Sequence, residues 1–202
     1  MKFSANKLAE IDSRFLRLID EFGYPTYKRE TFYFEALVRN IIYQQLSGKA
    51  AQTIYSRFLA LFKSGKYPSP IEILNTPFEN LRGAGLSNQK VTYVLDLSNR
   101  YSEGTLQLDK LDEMSDPDVS AELIQVKGIG QWTADMFLMF TLNREDVFPF
   151  GDLGVKKGVA IIEKLNELPT EKQMAIISEK WKPYRTIAAW YMWKLVDGPF
   201  EW

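Results

Sequence analysis

The chain has 202 residues, of which 46% are hydrophobic and 25% charged, the composition of a globular protein long enough to bury a sizeable core. Lysine and arginine number 25 against 26 acidic residues, so a polyanionic partner must be met by a local basic patch rather than by bulk charge. Cysteine and histidine are both absent, which excludes disulfides, thiolate zinc sites, Cys-ligated iron–sulfur clusters, Cys nucleophiles and Ser-His-Asp triads. Proton chemistry is left to carboxylates, lysines, tyrosines and hydroxyls. The N-terminal residues lack the apolar run of a signal peptide, and no stretch reaches the ~18 uninterrupted apolar residues of a membrane span. The expectation is a protein that stays in the compartment where it is made, the cytoplasm.

Apolar residues recur at helical spacing along nearly the whole chain. A first helix is expected over Ser4 to Phe22. Phe34, Leu37, Val38, Ile41 and Ile42 then form one helical row that leads to Gln45 on the same face, and Ala51, Ile54, Tyr55, Phe58, Leu59 and Phe62 repeat the pattern. Lys63 to Lys66 reads as a short charged loop, as does Arg144 to Asp146. Helices are further expected over Pro70 to Leu74, around Val91, Val94 and Leu95 behind a Ser87 N-cap, and over Asp116 to Gln125, Gln131 to Leu142, Leu153 to Leu165, Glu171 to Trp181 and Tyr184 to Val196. No alternating strand pattern stands out, so the fold is expected to be all-α, with about ten helices joined by short turns of Gly, Pro, Asn and Ser.

The segment Leu123 to Asp135, LIQVKGIGQWTAD, joins an apolar helix end, a two-glycine turn and a new apolar helix, a helix–hairpin–helix. Gly128 and Gly130 accommodate positive φ and leave backbone amides exposed at a helix N-terminus, an arrangement that suits a phosphate. An ordinary αα turn with glycine caps would carry the same residues. LRGAGLSNQK, with Gly83 and Gly85, resembles this segment weakly. About twenty residues beyond the hairpin, Asp152 follows an apolar run broken by Pro149 and Gly151. As a helix N-cap it would be structural; held in a cleft, its carboxylate would stabilise positive charge on a sugar or orient a water.

These two segments, in this order and spacing, resemble the helix–hairpin–helix DNA glycosylase superfamily. IIYQQLSGKAA from Ile41 and WKPYR from Trp181 narrow the resemblance to the 3-methyladenine DNA glycosylase II branch, over roughly residues 30 to 196. It implies a single glycosylase unit of two helical lobes with an active-site cleft between them: lobe one about 30–135 with the hairpin motif at 116–142, lobe two about 1–29 plus 136–202. Asp152 falls on the family's catalytic aspartate. Trp132 stands where bifunctional relatives carry a nucleophilic lysine, so the implied chemistry is monofunctional, releasing a base and leaving an abasic site. Trp132 and Trp193 match base-pocket positions, with Tyr43, Phe148 and Tyr184 as further walls. Gln45 aligns with the wedge that enters the vacated stack, and Leu46 is its rival. Phosphate contacts are expected from Lys127, Gly128 and Gly130, then Lys49, Ser87 and Lys90. Backbone carbonyls of Ile124, Val126 and Ile129 match those that hold a monovalent cation, Na+ or K+, in some relatives. No other cofactor is implied, and with so short a stretch before Tyr33 the N-terminal β-domain of many bacterial relatives is not expected. Met136 and Leu153 depart from aromatic positions of some relatives, which leaves the pocket shape and substrate range open.

The chemistry is consistent with this. An alkylated purine such as 3-methyladenine or 7-methylguanine is cationic, so its glycosidic bond is already weak and the leaving base needs little acid assistance. The protein must expose the base, hold a cationic π-system against aromatic faces and oppose the charge of an oxocarbenium-like sugar with a carboxylate. The expected partner is double-stranded DNA with alkylated bases, met by a monomer. The alternatives are a non-catalytic damage- or duplex-DNA-binding protein on the same scaffold, and a helical interaction module whose aromatics are simply core.

Overall fold

The computed structural model of the chain describes residues 1–62 and 67–197, so the expected loop Lys63 to Lys66 lies outside the described residues. The described residues form α-helices α1 (Lys2–Ile11), α2 (Arg14–Phe22), α3 (Tyr33–Tyr43), α4 (Gly48–Leu59), α5 (Pro70–Leu74), α6 (Phe78–Gly83), α7 (Asn88–Ser102), α8 (Asp116–Ile124), α9 (Gln131–Met136), α10 (Leu153–Ile162), α11 (Glu171–Ser178) and α12 (Arg185–Asp197), with no strand among them. The chain divides into two compact units: Glu30–Phe137, and Met1–Arg29 together with the residues from Leu138 onward.

In the 30–137 unit α3 is the central helix. Leu37, Val38, Ile41 and Ile42 are fully buried, each burial favouring the fold by about 2 kcal/mol, and α4 and α7 pack against them. Side-chain caps start the surrounding helices. Ser69 and Glu72 form a reciprocal capping box with Pro70 in the first turn of α5, Ser87 caps α7, and Ser115 caps α8 ahead of Pro117.

In the other unit α10 lies against α12 so closely that a Cβ on Gly158 would stand 2.4 Å from the carbonyl oxygen of Met192. The largest core side chains, Trp181, Tyr191 and Phe15, pack edge to face.

Several boundaries differ from the expected ones for local reasons. The single helix expected over Ser4 to Phe22 is broken at Asp12, whose extended backbone (φ −138°, ψ 101°) lets its carboxylate accept from Arg14 Nε at 2.8 Å and from Trp181 Nε1 at 3.0 Å. The helix expected from Gln131 to Leu142 stays α-helical only to Met136, widens into π-helical turns over Phe137–Thr141 and ends at Asn143 with φ 55°. Helix α6, six residues with only Leu81 buried, has too short an apolar pattern to be read from sequence.

Candidate active site and nucleic-acid interface

Asp152 occupies the N-cap of α10 and is half-buried. Its Oδ1 accepts two hydrogen bonds, from the Val155 backbone N–H at 2.8 Å and from the Trp193 indole Nε1–H at 2.9 Å. Capping and a functional role are thus not exclusive: the helix fixes the carboxylate, and a side chain from α12 fixes it a second time. Gly154 makes this possible, because a Cβ there would lie 2.7 Å from Trp193 Cδ1 and 3.2 Å from Asp152 Oδ1. Trp193 is only 5% exposed, with Phe140 against its ring at 6.0 Å. The resemblance implies a base-pocket position for Trp193, and its indole N–H is committed to the Asp152 carboxylate.

The other aromatics expected near Asp152 differ in kind. Phe148, expected as a pocket wall, is 5% exposed and packs between Trp181 and Phe150, at 5.7 and 5.8 Å between ring centroids. Tyr184 is half-buried at the start of α12, where its carbonyl accepts the Ala188 N–H at 3.1 Å. Among the residues that sequence reasoning missed, the Tyr27 hydroxyl is buried without a hydrogen-bond partner, and burial followed by the Glu145 charge pushes its ionisation well above the usual range.

In the 30–137 unit α8, the turn and α9 form the hairpin. Gly128 takes φ +83°, and a Cβ on it would stand 2.1 Å from the Tyr93 ring, so both backbone angle and space require glycine there. Ile129 is buried and donates its N–H to Val126 O at 3.1 Å, while Gly130 is the N-cap of α9 and accepts the Ala134 N–H. The similar turn before α7 has the same plan two residues out of step with the sequence alignment. There Gly85 is the left-handed residue (φ +106°), Leu86 is buried and Ser87 is the cap.

Trp132, in the first turn of α9, is 45% exposed and presents an indole surface to solvent. Asp135, one turn on, is half-buried; burial pushes its carboxyl up to about 6, against the opposing hydrogen bond from the Gln131 amide at 2.7 Å. Nothing in its sequence context marks it, because the shift comes from burial.

The expected phosphate ligands separate into two groups. Lys127 and Lys49 are exposed, and the Lys127 Nζ lies 3.7 Å from Asp96. Its backbone N–H, however, donates to Asp96 Oδ2 at 2.9 Å. Burial opposes the Asp96 charge, but the Lys127 N–H and the Arg100 guanidinium outweigh it and hold the carboxyl below its usual value. Ser87 uses its Oγ to accept the Lys90 N–H as the α7 cap. The Lys90 ammonium, half-buried, donates to the carbonyls of Ile42 and Gln44, both at 2.7 Å, and burial lowers its pKa.

Between α3 and α4 the turn Gln44-Gln45-Leu46 projects outward. Gln45 is exposed with a left-handed φ of 58°, and Leu46 is 39% exposed with its N–H on Tyr43 O. Gln44 turns the other way, its amide donating to Gly128 O at 3.0 Å. Tyr43 is half-buried, its hydroxyl donating to Gln52 at 2.6 Å and its ring meeting Tyr55.

The carbonyls of Ile124, Val126 and Ile129 all belong to the end of α8 and the turn after it. They are neutral oxygens of the kind an alkali cation takes, and Val126 O already accepts one N–H. No cluster of acidic side chains that could hold a metal occurs among the described residues.

Residues 38–183 match the family described as HhH-GPD superfamily base excision DNA repair protein. DNA-3-methyladenine glycosylase 1 of Schizosaccharomyces pombe is 36% identical over 162 residues, which cover 80% of this chain and 71% of that protein. Among solved structures, a DNA-3-methyladenine glycosidase from Bacillus halodurans matches with a TM-score of 0.85 and 33% identity, covering 96% of this chain and 89% of that one. The 3-methyladenine DNA glycosylase of Schizosaccharomyces pombe in complex with abasic DNA matches with a TM-score of 0.82 and 34% identity over 95% of both chains.

Proposed function

The chain belongs to the HhH-GPD superfamily of base excision DNA repair proteins, and on that premise we propose that it is a monofunctional DNA glycosylase that removes alkylated purines of the 3-methyladenine and 7-methylguanine type. The observation that carries this is the doubly anchored carboxylate of Asp152, preorganised by Val155 and Trp193.

In the proposed reaction the bond from C1′ to the purine nitrogen breaks heterolytically and its electron pair leaves with the base, whose positive charge is neutralised. The sugar becomes an oxocarbenium-like cation. Asp152 stabilises that cation, and a water adds its oxygen to C1′ and loses a proton, leaving an abasic site. The exposed indole of Trp132 supplies a π-face for the cationic base, an attraction of about 2 kcal/mol when desolvated. A tryptophan offers no amine, so no Schiff base with the sugar forms from that position and no strand cleavage follows.

The turn Gln45-Leu46 enters the stack left by the flipped nucleotide. The amides of the Gly128–Gly130 turn with Lys127 and Lys49 contact phosphates, and a Na+ or K+ held by the carbonyls of Ile124, Val126 and Ile129 would add positive charge beside them. The protein acts as a monomer on double-stranded DNA.

The experiment is release of free base from DNA treated with a methylating agent, followed chromatographically. Release of methylated purines with strands left intact until alkali treatment supports the assignment. Duplex binding with no base released would favour the non-catalytic DNA-binding alternative.

A further inference from the structure

Helix α7 carries three side chains that hold the two elements assigned to DNA. Near its start the Lys90 ammonium donates to the carbonyls of Ile42 and Gln44, at the end of α3, immediately before Gln45. One turn on, the Tyr93 ring fills the space that a side chain at Gly128 would need, and after another turn Asp96 accepts the Lys127 N–H. Gln44 closes the circuit by donating its side-chain amide to Gly128 O. The turn and the hairpin are therefore tied to the same helix and to each other.

Resting on the glycosylase assignment, we infer that Lys90 is a positioning residue that sets the reach of the Gln45-Leu46 turn into the duplex, and is not a phosphate ligand. A cation at the C-terminus of α3 meets carbonyls that have no partner in the next turn and the negative end of the helix dipole. Two of the three ammonium donors are used on the protein's own backbone. Gln45 adopts a left-handed conformation that a non-glycine residue takes at a cost, and Lys90 fixes the residue immediately before it. Losing the tie would let the last turn of α3 fray, and a wedge whose base moves inserts less often.

The test compares Lys90→Met with Lys127→Met, the latter removing an exposed charge assigned to phosphate. Duplex binding is measured across salt concentrations. Loss of a phosphate contact lowers the slope of log affinity against log salt by about 0.9. Lys127→Met is expected to do so, and Lys90→Met to leave the slope at its wild-type value. Single-turnover base release is then measured on a lesion in a paired duplex and on the same lesion opposite a gap. Lys90→Met is expected to lose about tenfold more on the paired lesion, where stacking must be broken. Lys90→Arg, which restores a cation at the helix end, is expected to recover part of that loss, and Gln44→Leu to reproduce it.

A slope lowered by Lys90→Met, or equal losses on the two substrates, overturns the inference. Should Lys90→Met fail to fold, Lys90→Gln and Gln44→Leu give the same comparison. If the wild-type protein releases no base, the glycosylase assignment fails by itself. The positioning role is then read from the fluorescence of a 2-aminopurine placed at the flipped site, which Lys90→Met should lower and an unchanged signal would refute.

Discussion

Replacing Trp193 by phenylalanine removes the indole N–H from Asp152 Oδ1 while keeping an aromatic ring under Gly154 and beside Phe140. A hydrogen bond to a charged acceptor contributes about 1.5–3 kcal/mol, and each ~1.4 kcal/mol in the barrier is tenfold in rate, so the expected loss is about 10- to 100-fold in the chemical step. It should not be larger, because the Val155 N–H still holds the same oxygen. The assay is single-turnover base release with enzyme in excess over a methylated duplex, alongside affinity for DNA carrying an abasic site. Rate should fall with affinity little changed. Gly154→Ala, which pushes a methyl group to within 2.7 Å of the indole, should cause a loss of similar size. In an Asp152→Asn background the Trp193→Phe change should cost much less, since the pair acts as one unit. A full wild-type rate in Trp193→Phe, or an undiminished loss in that background, would refute a positioning role for the indole.

Gly128→Ala forces a methyl group into the Tyr93 ring and a strained backbone angle, and should cost about 1–3 kcal/mol in thermal stability together with weaker duplex binding. Borohydride added during base release should trap no protein–DNA adduct; an adduct abolished by mutating Lys156 or Lys157 would reveal a nucleophile among the α10 lysines. Gln45→Ala should slow excision of a paired lesion more than one opposite a gap, and if Leu46→Ala alone shows that selectivity, the wedge is Leu46. The Asp12 carboxyl is held down to about 2 from 3.8, chiefly by hydrogen bonds from Arg14, so it contributes about 2 kcal/mol, less after solvent screening of Arg14. That contribution is present above pH ~4 and lost as the pH falls from about 4 toward 2. Acid unfolding of Asp12→Asn should therefore lack part of the wild-type decline in that window.

The parts of the fold that were legible in sequence are those decided by local pattern. The apolar row of α3 and the left-handed Gly128 of the hairpin can be read directly, since helical periodicity and positive φ belong to single residues and their near neighbours, whereas Gly130, open to the same reading, is extended at φ −102° as the cap of α9. Asp12 breaks the N-terminal helix through a contact with Trp181, 169 positions away, and no window on the sequence contains both. The same limit explains the site. Lys90 and Lys127 look alike as lysines beside Gly-x-Gly turns, yet one ammonium is turned onto the α3 carbonyls and the other is exposed. Trp193 and Phe148 are both expected as walls of a base pocket; only packing distinguishes the ring that donates to Asp152 from the one locked against Trp181. The raised carboxyl of Asp135 depends on burial alone and leaves no trace in the spacing.

The most direct measurement of the central claim is single-turnover release of 3-methyladenine or 7-methylguanine by the wild-type protein and by Asp152→Asn, with DNA affinity measured in parallel. The wild-type protein should release base, and Asp152→Asn should bind as well yet react about 100-fold more slowly or worse, the scale for losing a preorganised electrostatic group. Equal rates in the two proteins would contradict the assignment of Asp152 as the group that stabilises the sugar cation.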